Sequence, residues 1–240
     1  MGETKLSFRR YEKKYLLSEA LYSSLWERLK GYVTPDEYHR STVCSLYYDR
    51  DDYHLIRQSI ERPLYKEKLR LRSYNVPGPE DMVFVELKKK FRGVVYKRRV
   101  SMAAEQAGEY LAGRALPAED SQIVREINWF LRQNLPEPKV FIACDRTAYC
   151  GLADPELRIT FDRNIRWRDT ELNLCSGSQG KSLLEPGTLL METKIPGAAP
   201  LWLAHMLSEL EIFPTSFSKY GECYRENILE KYVNGVIFSA

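Results

Sequence analysis

The chain has 240 residues, of which 44% are hydrophobic and 29% are charged, and its formal net charge at pH 7 is +3. This composition is typical of a folded globular protein and excludes a disordered chain. No apolar run reaches the roughly 18 residues of a membrane span, and the first ten residues lack the apolar core of a signal peptide. We therefore expect a single cytoplasmic domain over residues 1–240.

The first half of the chain is predicted to contain five strands and two helices. A strand over residues 5–17 precedes a helix that Ser18 caps and that runs to residue 29. A β-branched and aromatic segment predicts a second strand at 41–49, after which Asp51 can cap a short helix. Three closely spaced strands follow, and such short connections require antiparallel pairing. These three strands are predicted at residues 64–74, 82–91 and 94–102, with a tight turn at Arg92-Gly93.

The second half of the chain is predicted to alternate helices and strands. Helices are expected at 103–113 and 119–133, and later at 200–210 and 218–233. Strands are expected at 139–149, 156–167 and 188–195. No repeat or linker divides the sequence, so it predicts an α+β fold with eight strands.

Cysteine and histidine do not form a recognisable site in the sequence. The five cysteines lack CxxC spacing, and the three histidines lack HxH or HExxH pairing. We therefore expect neither a disulfide framework nor a zinc site, and no histidine-based acid–base chemistry.

Charge is distributed over the predicted strands with a period of two, which places side chains on alternate faces. In the strand at 64–74, Lys66, Lys68, Arg70 and Arg72 share one face, opposite Leu69 and Leu71. For a single strand, a solvated sheet face explains such a pattern. Over all the strands, however, the polar faces carry thirteen basic residues and only four acids. The basic residues are Arg10, Lys14, Lys66, Lys68, Arg70, Arg72, Lys88, Lys90, Lys97, Arg99, Arg146, Arg158 and Lys194, and the acids are Glu12, Glu86, Asp162 and Glu192.

This segregation of charge indicates a polyanion-binding surface, since like charges that face each other across strands repel. Eight antiparallel strands can close into a small barrel. We therefore predict an eight-stranded antiparallel β-barrel with a polar, cationic lumen, surrounded by amphipathic helices. Arginine and lysine suit phosphate, so polyphosphate or a nucleoside triphosphate is the expected ligand of this tunnel.

Nine segments, in order along the chain, resemble those of a known family. They are Arg10–Tyr15, Ser45–Asp49, Lys68–Arg72, Val85–Lys88, Gly93–Arg99, Asp145–Tyr149, Arg158–Asp162, Met191–Lys194 and Phe217–Tyr220. The sequence resembles the catalytic domain of the vacuolar transporter chaperone (VTC) polyphosphate polymerases, in the triphosphate tunnel metalloenzyme (CYTH-like) superfamily.

The resemblance implies an ATP-polyphosphate phosphotransferase that lengthens inorganic polyphosphate with the γ-phosphate of ATP. It implies that Glu192 binds Mn²⁺ or Mg²⁺. The residues implied in catalysis are Arg70, Arg72, Lys88, Arg146 and Arg158. The residues implied in phosphate binding are Arg10, Lys14, Lys97, Arg99, Lys194, Ser218 and Lys219.

Other functions stay open at this point. Hydrolytic members of the superfamily often carry ExExK on the first strand, whereas this chain has only Glu12 followed by Lys14. Fewer carboxylates favour a transferase over a triphosphatase, which remains the first alternative. A non-catalytic polyphosphate-binding module is the second. Nucleic acid is not expected, because the tyrosines lie mainly on apolar faces rather than forming stacking platforms. A membrane-protein partner is compatible with the resemblance, and the oligomeric state is open.

Overall fold

The computed structural model describes residues 10–61, 63–92, 94–117 and 120–231. Several predicted positions lie outside the described residues. They are residues 5–9 of the first strand, Gly93 of the tight turn, residue 119 at a helix start and residues 232–233 at a helix end.

Nine strands are present within these ranges, and eight of them match the eight predicted strands. Only the two-residue β8 was not predicted. The strands are β1 (Arg10–Ser18), β2 (Val33–Asp49), β3 (Tyr65–Tyr74), β4 (Met82–Phe91), β5 (Val94–Ala103), β6 (Glu137–Gly151), β7 (Arg158–Arg168), β8 (Lys181–Ser182) and β9 (Thr188–Pro196).

Six α-helices occur in the same described ranges, all of them short. They are α1 (Glu19–Leu29), α2 (His54–Ile60), α3 (Ala104–Leu111), α4 (Gln122–Asn134), α5 (Leu201–Glu209) and α6 (Lys219–Cys223), the last continuing into a π-helical turn, Tyr224–Ile228. None of the helices in the described part of the chain is both long and apolar enough to cross a membrane.

The strands form one antiparallel sheet in the order β1-β9-β7-β6-β2-β3-β4-β5, with β8 paired to β7. This order is an open path. Among the described residues no pairing joins β1 to β5, so the prediction of α+β topology with antiparallel strands is confirmed, whereas the predicted closure into a barrel is not shown.

The chain divides into two compact units. The first unit comprises the described residues of 1–41, 145–165 and 184–217, and the second comprises those of 42–144, 166–183 and 218–240. The long strands β2 and β6 each contribute to both.

Each unit has an apolar core of its own. In the first unit, inward residues of β1, β7 and β9 such as Leu17, Phe161 and Met191 pack with α1 and α5. In the second, Leu69 and Leu87 pack with residues of α3 and α4. Burial of these aliphatic and aromatic side chains contributes about 1.5–3 kcal/mol each. The predicted placement of the apolar strand faces beneath amphipathic helices is therefore confirmed within each unit.

Helix caps show where sequence reasoning succeeded and where it did not. Ser18 caps α1 as predicted, because its hydroxyl accepts from Leu21 N at 3.2 Å. The predicted cap of α2 by Asp51 is wrong. The carboxylate of Asp49 accepts from Leu55 N and Ile56 N instead, at 2.9 and 3.0 Å, while Asp51 pairs with Lys139. The last residue of β2 thus fixes the start of the following helix.

Candidate phosphate-binding and metal-binding sites

The second unit carries a polar sheet face on which cations greatly outnumber acids. The register places Arg70, Glu86 and Arg99 side by side across β3, β4 and β5, with Lys68, Lys88 and Lys97 in the next polar row. We call this the cation-rich face, and within the described residues its charged members are Lys66, Lys68, Arg70, Arg72, Glu86, Lys88, Lys90, Lys97 and Arg99.

Glu86 lies at the centre of the cation-rich face and is fully buried. Its Oε2 accepts from Arg70 Nε at 2.8 Å and lies 2.7 Å from Arg70 Nη2, while Lys97 Nζ is 2.5 Å from Oε1. Arg72 Nη1 is 3.9 Å from the same carboxylate. Burial acts to raise the pKa of Glu86, but the charges of Arg70, Arg72 and Lys97 outweigh it and lower the pKa to about 2. Glu86 therefore stays ionised and orients three cations.

Tyr47 on β2 extends the cation-rich face toward α6. Its hydroxyl accepts a hydrogen bond from Arg70 Nη1 at 3.3 Å, and its ring stacks on Tyr220 with 4.8 Å between centroids. Burial alone would raise the pKa of the phenol, but the charges of Arg70, Arg72 and Lys219 lower it. Positive potential thus dominates here even inside the protein.

Three further cations of the cation-rich face, of which Arg72 and Arg99 were predicted ligands, contact neutral or aromatic groups. Arg72 Nε donates to Ser45 Oγ at 3.2 Å, and Lys68 Nζ donates to Ser218 Oγ at 3.2 Å. The Arg99 guanidinium lies 4.0 Å from the centroid of the Phe84 ring. These contacts help to orient the three side chains.

Two cations of β4 and β5, Arg98 and Lys89, lie on the face opposite the cation-rich face. Arg98 points away from the cation-rich face, and its Nε donates to Glu126 of α4 at 3.3 Å. Lys89 Nζ donates to the same carboxylate at 3.2 Å. Glu126 therefore pairs with both outward cations, which have no part in the site.

The first unit carries a different arrangement, which we call the acid-rich cluster and which comprises Glu12, Lys14, Arg146, Asp162 and Glu192. Strand pairing sets Lys14 beside Glu192, and Glu192 beside Thr160. Lys14 Nζ lies 3.4 Å from Glu12 Oε1 and 3.7 Å from Glu192 Oε1, and it donates to Phe217 O at 3.0 Å. The Lys14 ammonium is thus shared between two carboxylates.

Arg146 connects Asp162, the third acid of this cluster, to Glu192. It binds Asp162 through two hydrogen bonds of 2.6 and 2.7 Å, and its Nη2 also lies 3.6 Å from Glu192 Oε2. Asp162 is completely buried. Because a bidentate arginine–carboxylate pair is strong and geometrically fixed, Asp162 serves to orient Arg146.

The acid-rich cluster fits a divalent cation bound jointly with substrate. Glu12 and Glu192 both lie near the Lys14 ammonium. Mg²⁺ typically binds one or two carboxylates together with phosphate oxygens. Mn²⁺ also favours carboxylate ligands. Within the described ranges no group of three or more His, Cys, Asp or Glu side chains is arranged to hold a metal without such help.

Three basic ligands predicted on the strands of this unit remain, namely Arg158, Lys194 and Arg10. Arg158 neighbours Lys194 in the β7–β9 register, and its Nη2 is 3.3 Å from Asp36 Oδ2. The Arg158 side chain is 56% exposed. Arg10 begins β1, but its side chain lies outside the described residues.

The structure therefore brings the predicted ligands together in two groups. Lys14, Arg146, Arg158, Lys194 and Glu192 belong to the first unit. The second unit contains Arg70, Arg72, Lys88, Lys97, Arg99, Ser218 and Lys219. Their roles in binding and catalysis stay predictions.

Sequence reasoning gave no role to Glu86, Tyr47 or Asp36. Glu86 was counted among the acids of the polar faces, but its position between Val85 and Leu87, which could have indicated burial, was not used. Asp36 could not, because β2 was expected to begin only at residue 41 and no pattern linked Asp36 to Arg158.

Comparison with known proteins identifies the family. A family model described as the VTC domain matches residues 9–227. The chain belongs to the VTC domain family. A search of curated proteins finds no match to this VTC-family sequence.

Solved structures resemble the fold of this VTC-family chain at low sequence identity. A putative adenylate cyclase from Bacillus halodurans is 14% identical, with a TM-score of 0.54 over 86% of this chain and 92% of that one. A putative adenylate cyclase from Vibrio parahaemolyticus is 12% identical, with a TM-score of 0.45 over 90% of this chain and 97% of that one. The first of these likenesses shows a shared fold.

Proposed function

We propose that this chain is a metal-dependent polyphosphate polymerase, which transfers the γ-phosphate of ATP to the end of a polyphosphate chain. The cation-rich face carries the proposal, because within the described part of the second unit eight basic residues share one sheet face with a single buried carboxylate, that of Glu86. Membership of the VTC domain family supports the same substrate class.

In the proposed reaction a terminal oxygen of the polyphosphate chain forms a bond to the γ-phosphorus of ATP. The bond from that phosphorus to the β,γ-bridging oxygen breaks, and ADP leaves with the electron pair. Phosphoryl transfer depends mainly on positioning and on stabilising charge. Because the attacking oxygen is already anionic, the reaction requires no strong general base.

The residues of the cation-rich face would bind and orient the phosphates. Arg70 is held by Glu86 on one side and by Tyr47 on the other, so its remaining donors are fixed in direction. Arg72 and Lys97 lie around the same carboxylate. Preorganised donors of this kind stabilise developing charge without rearranging during the reaction.

In the acid-rich cluster, Glu192 would hold the divalent metal together with Glu12. A bound Mn²⁺ or Mg²⁺ would supply charge neutralisation on phosphate oxygens. Lys14 and Arg146 would donate hydrogen bonds to phosphate oxygens near the metal, since each lies beside Glu192.

Triphosphate hydrolysis is the second candidate, favoured by the three acids of the acid-rich cluster. One of them, Asp162, is occupied by Arg146 through two hydrogen bonds. This bidentate pair makes Asp162 less able to bind a metal or activate water than Glu12 and Glu192, whose cations lie 3.4–3.7 Å away. This arrangement supports transfer over hydrolysis.

The deciding experiment incubates purified protein with ATP and Mn²⁺ and separates the products on a gel stained for polyphosphate. We expect a polymer ladder and ADP. Free phosphate and ADP without polymer would establish the triphosphatase instead. Tight, salt-sensitive binding of triphosphate without any turnover would establish a binding module.

Localisation follows only as part of this proposal. A polymerase that uses ATP requires the nucleotide pool of the cytoplasm, so we propose a cytoplasmic active site. Fractionation of cells that express the tagged chain would test this placement.

A further inference from the structure

The two predicted phosphate ligands Ser218 and Lys219 lie at the start of the last helical segment. Ser218 is the N-cap of α6 (Lys219–Cys223), which continues directly into the π-helical turn Tyr224–Ile228. Helical segments in proteins take most of their stability from tertiary packing. The contacts that fix α6 therefore determine where Ser218 and Lys219 lie.

Tyr220, the residue after Lys219, provides such contacts and is buried. Its hydroxyl donates to Asp49 Oδ2 at 2.9 Å, and its ring stacks on Tyr47 at an interplanar angle of 24°. One side chain thus attaches α6 to the end of β2 by a hydrogen bond and by ring packing.

Asp49 is itself fixed by three backbone donors and is completely buried. It accepts from Arg50 N at 2.8 Å, from Leu55 N at 2.9 Å and from Ile56 N at 3.0 Å. Because a buried carboxylate with several donors has little freedom, Asp49 provides a rigid anchor for the Tyr220 hydroxyl.

The other end of this chain of contacts reaches the cation-rich face. Tyr47 lies beside Arg70 in the β2–β3 register and accepts its hydrogen bond. Lys219 also acts electrostatically on the Tyr47 phenol. The chain of contacts therefore connects the two predicted ligands on α6 with those on β3.

We infer that Asp49, Tyr220 and Tyr47 are positioning residues, which set Ser218 and Lys219 relative to Arg70 so that all three contact one phosphate chain. This inference rests on the proposed function of phosphate binding. None of the three positioning residues needs to touch the reacting phosphorus.

The test compares Tyr220→Phe with Tyr110→Phe, a matched control in the same unit. Tyr110 is also buried, and its hydroxyl bonds Asn128 Oδ1 at 2.7 Å in the packing of α3 against α4. Both variants lose one buried tyrosine hydrogen bond, so both are expected to lower the melting temperature. Affinity for inorganic triphosphate, measured by calorimetry, should fall about tenfold in Tyr220→Phe alone.

A double-mutant cycle separates positioning from general destabilisation. If Tyr220 acts through Lys219, Tyr220→Phe should cost much less affinity in a Lys219→Ala background than in the wild type. Full additivity of the two losses would overturn the inference, as would equal affinities of Tyr220→Phe and Tyr110→Phe.

Two further outcomes are distinguishable. If Tyr220→Phe does not fold, Tyr47→Phe keeps the stacked ring and removes only the hydroxyl beside Arg70. It should then weaken triphosphate binding about threefold, and unchanged affinity would overturn the inference. Absence of triphosphate binding by the wild type would overturn the proposed function itself, and the inference with it.

Discussion

The cation-rich face and the acid-rich cluster are both built from alternate residues of antiparallel strands, but they differ in charge balance. Within the described residues, the second unit places eight cations on the sheet face that carries Glu86 as its one acid. The acid-rich cluster of the first unit sets two cations, Lys14 and Arg146, among three acids. On the proposed function, the comparison suggests a division of labour as a hypothesis to test: one region would bind phosphate anions and the other would also hold a metal cation.

The largest expected effect comes from removing the central arginine of the cation-rich face. Arg70→Ala should lower kcat by about 1,000-fold, because it removes a preorganised hydrogen-bond donor to phosphate. The matched control is Arg98→Ala, since Arg98 lies on the outward face of the same sheet and pairs with Glu126. Steady-state kinetics with ATP and Mn²⁺ measures both. Similar losses in the two variants would show that the cation-rich face has no special role.

Glu192→Gln should separate the two regions by the sign of its effects. Metal-dependent turnover should fall about 100-fold, as is typical when metal binding is weakened. Affinity for inorganic triphosphate without metal should stay the same or rise, since Lys14 and Arg146 lose a negative neighbour. Calorimetry in EDTA measures this affinity. The control is Glu27→Gln, at an exposed position of α1. A loss of metal-free affinity specific to Glu192→Gln would contradict the division of labour.

Stability at acid pH should reveal the charge of Glu86. Its pKa of about 2 lies below the ordinary value of 4.5. The stabilisation is therefore complete above pH 4.5 and is lost as the pH falls from 4.5 toward 2, by roughly 3 kcal/mol in total. Urea unfolding across this range should show the loss in the wild type.

The corresponding variant isolates that contribution. In Glu86→Gln the part of the pH dependence that Glu86 supplies should disappear, whereas Glu105→Gln, at an exposed position of α3, should keep it. An unchanged slope in Glu86→Gln would mean that the cations around Glu86 do not lower its pKa.

The smallest effect is expected at the edge of the first unit. Arg158 is more than half exposed and pairs with Asp36, and exposed ion pairs contribute about 1 kcal/mol or less. Arg158→Ala should therefore weaken triphosphate binding only about threefold. A loss as large as that of Arg70→Ala would place Arg158 among the main ligands.

Much of this architecture could be predicted from alternation in the sequence. The period of two placed Lys66, Lys68, Arg70 and Arg72 on one face, and the register of β3 with β4 confirms it. The start of β2 was missed because Pro35, Asp36 and His39 interrupt the pattern of β-branched and aromatic residues. The cap of α2 was assigned to Asp51 because several aspartates lie close together, and only the chain path shows that Asp49 turns inward.

The uneven distribution of acids between the cation-rich face and the acid-rich cluster could not be predicted from the sequence, for a different reason. The four acids of the polar faces were identified, but their grouping depends on strand order. Glu12, Asp162 and Glu192 come from distant parts of the chain and meet because β1, β9 and β7 are neighbours. Alternation within a strand carries no information about which strands pair.

The charge excess around Glu86 has a consequence for the folded protein as a whole. Like charges held on one sheet face repel, so the folded state without an anion bears a cost that a bound polyanion removes. Folding and ligand capture are then thermodynamically linked, and the melting temperature should rise with the concentration of inorganic triphosphate. On the proposed function, a bound phosphate chain would thus stabilise the folded protein that lengthens it.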